Sequence, residues 1–339
     1  MSKSLRRLLL PAVIPAIFLS PAFAGGKSIY GTDDRMELFE ASPMAARLAD
    51  SVVSLWSSEN IAYEPASEAF SLKTEKLTGK FDLCPGERFR EQRRGSGLCS
   101  GALVGEDLIM TAGHCITEQT VCDNTKVVFG FALKKPGGGA PASIARKEVY
   151  SCKKIIVSHS ITDSDEPQDP VHQGRGSSPM FYSDNSDEPQ NAVYRGPDYA
   201  LIRLDRKVTG HKPLAINRTR GLKNGDSLAL IGHPLGLPLK IAAVAAVRDV
   251  SSPDYFVADL DAFEGNSGSP VFNKKTGLIE GIMVRGDKDL QLTPAGCYTM
   301  AVYAPGGGRG EDVSNVDALE PFIPEPADKH GPGPKDGVW

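Results

Sequence analysis

Short apolar segments, each closed off by a cluster of Gly, Pro, Asn or Asp, recur along most of this chain. That rhythm is the mark of an all-β protein, because strands are brief and must be turned back on one another. The pattern predicts strands over residues 51–56, 97–104, 107–111, 126–131, 154–158, 200–204, 227–231, 242–247, 255–258, 270–272, 277–284 and 298–303. A helical stretch is expected at 44–50, and a short C-terminal helix over 313–323, broken by Pro321.

At 339 residues the chain is long enough for two compact units with a substantial core. Its 38 Lys and Arg balance 42 Asp and Glu without any basic patch, so no nucleic-acid partner is expected. The first residues stand apart from the fold. Lys3, Arg6 and Arg7 precede an apolar run from Leu8 to Leu19, and Ala22-Phe23-Ala24 fits a small-x-small cleavage site. A secretory signal over 1–24, cut after Ala24, is therefore expected, placing the mature protein in the periplasm or the medium with no membrane anchor. A monomer is expected.

Between His159 and Pro197 the strand pattern dissolves, and Ser-Asp-Glu-Pro-Gln occurs twice, at 164–168 and 186–190. This composition reads as a long solvated insertion over 160–197. Its acids, Asp163, Asp165, Glu166, Asp184, Asp187 and Glu188, would favour basic substrates electrostatically or hold calcium weakly if they border a cleft. The tail over 324–339, rich in Pro and Gly, is expected to be disordered.

Three motifs carry chemistry. Gly265-Asn266-Ser267-Gly268-Ser269-Pro270 sets a serine in a glycine-rich turn, Thr111-Ala112-Gly113-His114-Cys115 sets a histidine after an apolar strand, and Asp198 heads the run Tyr199-Ala200-Leu201-Ile202. A serine hydroxyl is a poor nucleophile until a base takes its proton, and that base needs a carboxylate to fix its tautomer. Glycines leave backbone N–H groups free to meet an oxyanion. His114 is set apart by its lead-in from His159, and from His172, His211, His233 and His330, which are assigned no role.

These residues, with the order His, Asp, Ser, resemble the chymotrypsin-fold (trypsin-like) serine proteases over roughly residues 29–302, outside the insertion. The Asn-Ser-Gly-Ser-Pro turn is most similar to the bacterial branch containing the V8-type glutamyl endopeptidases. The resemblance implies two packed antiparallel Greek-key β-barrels with the active site in the cleft between them. The first barrel would span 44–205 and the second 206–323, after an N-terminal segment 25–43 that includes a possible short propeptide. It implies His114 as general base, Asp198 as orienting carboxylate, Ser267 as nucleophile, and the N–H groups of Gly265 and Ser267 as the oxyanion hole. Protein or peptide substrates are implied, and no cofactor or metal. The order argues against the α/β-hydrolase fold, which runs Ser, acid, His. A secreted pseudoprotease acting as a binding module is the rival, disfavoured because all three residues are kept.

The resemblance also implies the histidine-loop disulfide Cys99–Cys115. Cys84, Cys122, Cys152 and Cys297 then allow three connectivities, of which Cys122–Cys152 with Cys84–Cys297 is expected, since 122 and 152 flank an apparent hairpin. A zinc site is the alternative, without Cys-x-x-Cys spacing to support it. Two departures matter. Asn266 stands where the trypsin branch has an aspartate that receives a new N-terminus, so other contacts must set the oxyanion turn. Met283 stands where the glutamyl endopeptidases have a histidine, within the substrate strand Met283, Val284, Arg285 and Gly286. Asp261, six residues before Ser267, is the candidate pocket-floor carboxylate for a basic P1 side chain, and Arg285 the candidate for an acidic one.

Overall fold

The computed structural model describes residues 29–97, 99–160, 196–325 and 339. The expected signal peptide, the acidic insertion from 161 to 195 and residues 326–338 of the tail lie outside the described residues. Twelve strands build two closed barrels. The first contains β1 (Val52–Ser57), β2 (Cys99–Leu103), β3 (Leu108–Thr111), β4 (Thr125–Phe129), β5 (Val149–His159) and β6 (Tyr199–Leu204). All its pairings are antiparallel, in the order β1-β2-β3-β6-β5-β4 and back to β1. The second contains β7 (Ser227–Gly232), β8 (Lys240–Asp249), β9 (Tyr255–Ala258), β10 (Pro270–Asn273), β11 (Ile279–Arg285) and β12 (Glu311–Asn315). Its order, β7-β8-β9-β12-β11-β10 and back to β7, repeats the first.

Period-two alternation explains how each strand serves two cores. In β6, Ala200, Ile202 and Leu204 fill the first barrel, while Leu201 points outward to the second. In β7, Leu228 and Leu230 fill the second barrel, and Ala229 and Ile231 meet Leu201, Val52 and Met110 at the seam. The seam is sealed by helix α1 (Pro43–Ala49), whose N-cap Ser42 accepts the Ala45 N–H at 3.1 Å and whose Met44, Ala45 and Leu48 face inward. Closure leaves neither barrel with a free sheet edge.

Two expectations need correction. Residues 313–315 are not helical: they finish β12, and a 3₁₀ helix begins only at Val316 and runs to Phe322 through Pro321. Residues 298–303 form two short strands outside the barrel, Tyr298–Met300 and Val302–Tyr303. The N-terminal segment is woven into the second half. Ile29–Tyr30 pairs in parallel with Val302–Tyr303, and Met36–Glu37 pairs antiparallel with Lys240 and Ile241 at the start of β8. Cys99–Cys115, Cys122–Cys152 and Cys84–Cys297 are bonded, as expected. Trp339, in the tail expected to be disordered, donates its indole N–H to the Lys274 carbonyl at 2.8 Å. Among the described residues no helix is long and apolar enough to cross a membrane.

Candidate active site

β3 ends at Thr111, and the chain then winds through one 3₁₀ turn, Gly113–Cys115, that lifts His114 to the rim of the first barrel. Cys115 is tied back to Cys99 at the start of β2, which fixes the turn. Asp198 lies one residue before β6, buried at 3% exposure. Its Oδ2 is 2.7 Å from His114 Nδ1, and its Oδ1 accepts the N–H groups of Gly113 at 2.6 Å and His114 at 3.1 Å. An ionised carboxylate only accepts, so Nδ1 carries the proton and Nε2 is left as a base. Burial alone would raise the Asp198 carboxyl. The hydrogen bond and charge of His114, its N–H, and the Arg285 guanidinium outweigh that, and hold it below the ordinary carboxylate range. The Asp198 N–H is in turn held by Ser314 Oγ of β12, at 2.9 Å.

Ser267 lies in the turn that leads into β10. Gly265 and Gly268 both have positive φ, +91° and +88°, and both are closely packed. A Cβ on Gly268 would fall 2.1 Å from the Ser100 carbonyl oxygen and 2.2 Å from Thr111 Oγ1, so only glycine lets the serine turn sit on the strand end that presents His114. Cys115 Sγ lies 3.9 Å from the Ser267 carbonyl oxygen. No acceptor among the described residues takes the N–H of Gly265 or of Ser267. The ligand atoms of Cys99, His114 and Cys115 cluster within 4.8 Å, but the two sulfurs are spent on their disulfide, so this cluster is no metal site.

The expected specificity residues are placed differently from the catalytic candidates. Asp261 is 2% exposed, and both its oxygens are taken, Oδ1 by the Tyr30 N–H at 2.8 Å and Oδ2 by the Asp34 N–H at 3.0 Å. Burial, with Asp34 nearby, pushes its pKa up to about 8 against those two hydrogen bonds. It anchors the N-terminal segment instead of standing open to a substrate. Arg285 is committed to Asp312 at 3.4 Å and to the Gly196 carbonyl at 2.9 Å, which removes it as an open anion receptor. Met283 turns its side chain into the second barrel's core, while its backbone exchanges hydrogen bonds with Gly268 and Ser269 at 2.7 and 2.9 Å. Val284 packs into the seam. A Cβ on Gly286 would meet Glu311 Oε2 at 1.7 Å, so this glycine makes room for a buried carboxyl. Glu311 is 1% exposed, pushed well up by burial and by Asp289, and its Oε1 accepts the Tyr30 hydroxyl at 3.1 Å.

Both barrels share one strand order and meet along an apolar seam, which is the chymotrypsin type of double barrel. A family model described as a trypsin-like peptidase domain matches residues 99–282, more than half of the chain. The chain belongs to that family. Among solved structures it is similar to the VesB protease of Vibrio cholerae, at 16% identity and a TM-score of 0.45, over 86% of this chain and 66% of that one. It is also similar to the Rv3671c protease in its inactive form, at 14% identity and a TM-score of 0.40, over 84% of this chain and 93% of that one. This chain thus spans just under two-thirds of the length of VesB.

Sequence reasoning missed Ser314, Glu311 and Ser100. A serine in an apolar strand carries no mark of its bonding partner. Glu311 and Asp312 follow the glycine-rich stretch 306–310 and lie in no apolar run that would mark a strand.

Proposed function

We propose that the protein is a secreted serine endopeptidase working through His114, Asp198 and Ser267. His114 Nε2 takes the Ser267 hydroxyl proton as Oγ attacks the scissile carbonyl, and the Gly265 and Ser267 N–H groups receive the oxyanion. The imidazolium, stabilised by Asp198, then gives its proton to the leaving amine. Water, deprotonated by the same imidazole, hydrolyses the acyl-enzyme and returns the hydroxyl. The observation that carries this reading is the buried Asp198 carboxylate, 2.7 Å from His114 Nδ1, with the serine turn packed against the same strand end. A fluorophosphonate probe should label the wild type and not Ser267→Ala, and peptide hydrolysis should fall about 10⁴-fold or more in that variant. Folded wild type that takes no label would favour a binding module.

A basic P1 preference rests only on the spacing of Asp261 before Ser267, since that carboxyl is buried and taken by the Tyr30 and Asp34 N–H groups. Profiling cleavage sites in a peptide library checks this, and cutting mainly after Glu would refute it. Export is supported by the signal-like N-terminus and by three disulfides, which persist in oxidising compartments. An N-terminus at residue 25 in exported enzyme would exclude a propeptide.

A further inference from the structure

An oxyanion hole is only as good as the orientation of its peptide planes. In a trans peptide the C=O and N–H point in opposite directions, so whatever grips the carbonyl aims the donor. Asn266 offers no carboxylate for an ion pair, and its buried Oδ1 has no partner among the described residues. The turn is held by its carbonyls. Glu264 O accepts the Leu235 N–H at 2.5 Å, which aims the Gly265 N–H away from residues 233–237. Leu235 reaches it from a left-handed backbone, φ 55° and ψ 22°. Asn266 O accepts the Ser269 N–H at 2.8 Å, which aims the Ser267 N–H.

The two remaining carbonyls of the turn go to one residue of the other barrel. Ser100, fully buried on β2, donates its hydroxyl to Gly265 O at 2.7 Å and its N–H to Ser267 O at 2.8 Å. The hydroxyl has no freedom to turn elsewhere, because its oxygen accepts the His233 N–H at 3.0 Å. Its carbonyl accepts the Thr111 hydroxyl at 2.7 Å. One serine therefore grips the 265–266 and 267–268 peptides, which follow the two residues whose N–H groups form the hole, and links them to the loop that holds Glu264 and to the strand leading to His114.

We propose that Ser100 is a positioning residue for the oxyanion hole, holding open a turn that Asn266 cannot hold by charge. The proposal rests on the acyl-transfer reading above. Its test is Ser100→Ala, which deletes the hydroxyl and keeps the N–H. Losing a direct oxyanion donor costs ~10²–10³ in kcat, and losing its support should cost about tenfold to hundredfold. KM should stay within about threefold, since an extended peptide bound in the ground state does not use the hole. Affinity for a peptidyl aldehyde, whose tetrahedral adduct places its oxygen in the hole, should fall in parallel with kcat/KM. Full kcat and unchanged aldehyde affinity in a folded Ser100→Ala would overturn the proposal. So would equal losses in aldehyde affinity and in binding of a product-like peptide, which would mean general damage. If Ser100→Ala does not fold, Ser100→Cys, which keeps the volume with a weaker donor, carries the same expectations. The parent reading is judged separately: it fails if the wild type takes no fluorophosphonate, whatever the Ser100 variants do.

Discussion

His233 shows how much one buried side chain decides. It lies under the serine turn, with Nδ1 3.1 Å from the Leu237 carbonyl and Nε2 without a partner among the described residues, and burial, with Lys240 nearby, lowers its pKa from 6.5 to about 4. The unfolded chain binds a proton at this ring below pH 6.5 while the folded chain does not. Its stabilising contribution is therefore complete above pH 6.5 and lost as pH falls through 4, at a cost of about 3 kcal/mol. Denaturant unfolding at pH 7 and pH 4.5 should show that loss, and His233→Gln should flatten it. At this scale the catalytic candidates were legible, since their neighbours announce them: glycines around Ser267, an apolar run after Asp198, a cysteine beside His114. The specificity residues were not. Asp261 carries the right charge at the right spacing, but Tyr30, 231 residues away, reaches it first. Charge in a sequence says what a side chain offers and nothing about which group takes it.

Among the elements, eleven of the twelve barrel strands were legible from alternation and turn residues, and the twelfth was not. β12 buries Glu311, Asp312 and Ser314 beside Val313, so the polar residues hide the period of two. Val313, Val316 and Leu319 then suggest one helical face, although Val313 fills a barrel and the other two seal the seam. The polar residues are inside because each is used: Ser314 by Asp198, Asp312 by Arg285 and Arg309, Glu311 by Tyr30. The packing of β12 on the end of β11 is tested by Gly286→Ala, whose methyl collides with Glu311. A loss of about 1–3 kcal/mol is expected from overpacking, largely cancelled in the Glu311→Ala background. Chemical denaturation of the four proteins of that cycle measures it, and additive losses would mean that the contact is not the cause.

For the whole molecule, the two barrels repeat one topology on different strand sequences. Hydrogen-bonded pairing sets strand order, and many apolar sequences satisfy the same pairing. Cys84 leaves a loop between β1 and β2, and Cys297 one between β11 and β12, so their bond staples one half to the other across 213 residues of chain. A cross-link over so long a loop restricts the unfolded ensemble strongly. Replacing both cysteines by serine should lower unfolding free energy by about 2–5 kcal/mol, read as a lower midpoint in denaturant. An unchanged midpoint would show that the seam alone holds the halves together.

The Asp198 N–H rests on Ser314 of the second barrel, and the Ser267 carbonyl rests on the Ser100 N–H of the first. Each half lends a fixture to the other's working part, so slippage along their boundary dislodges acid and nucleophile in a single movement. Heat should silence turnover when the halves part company, with no earlier soft spot to betray it.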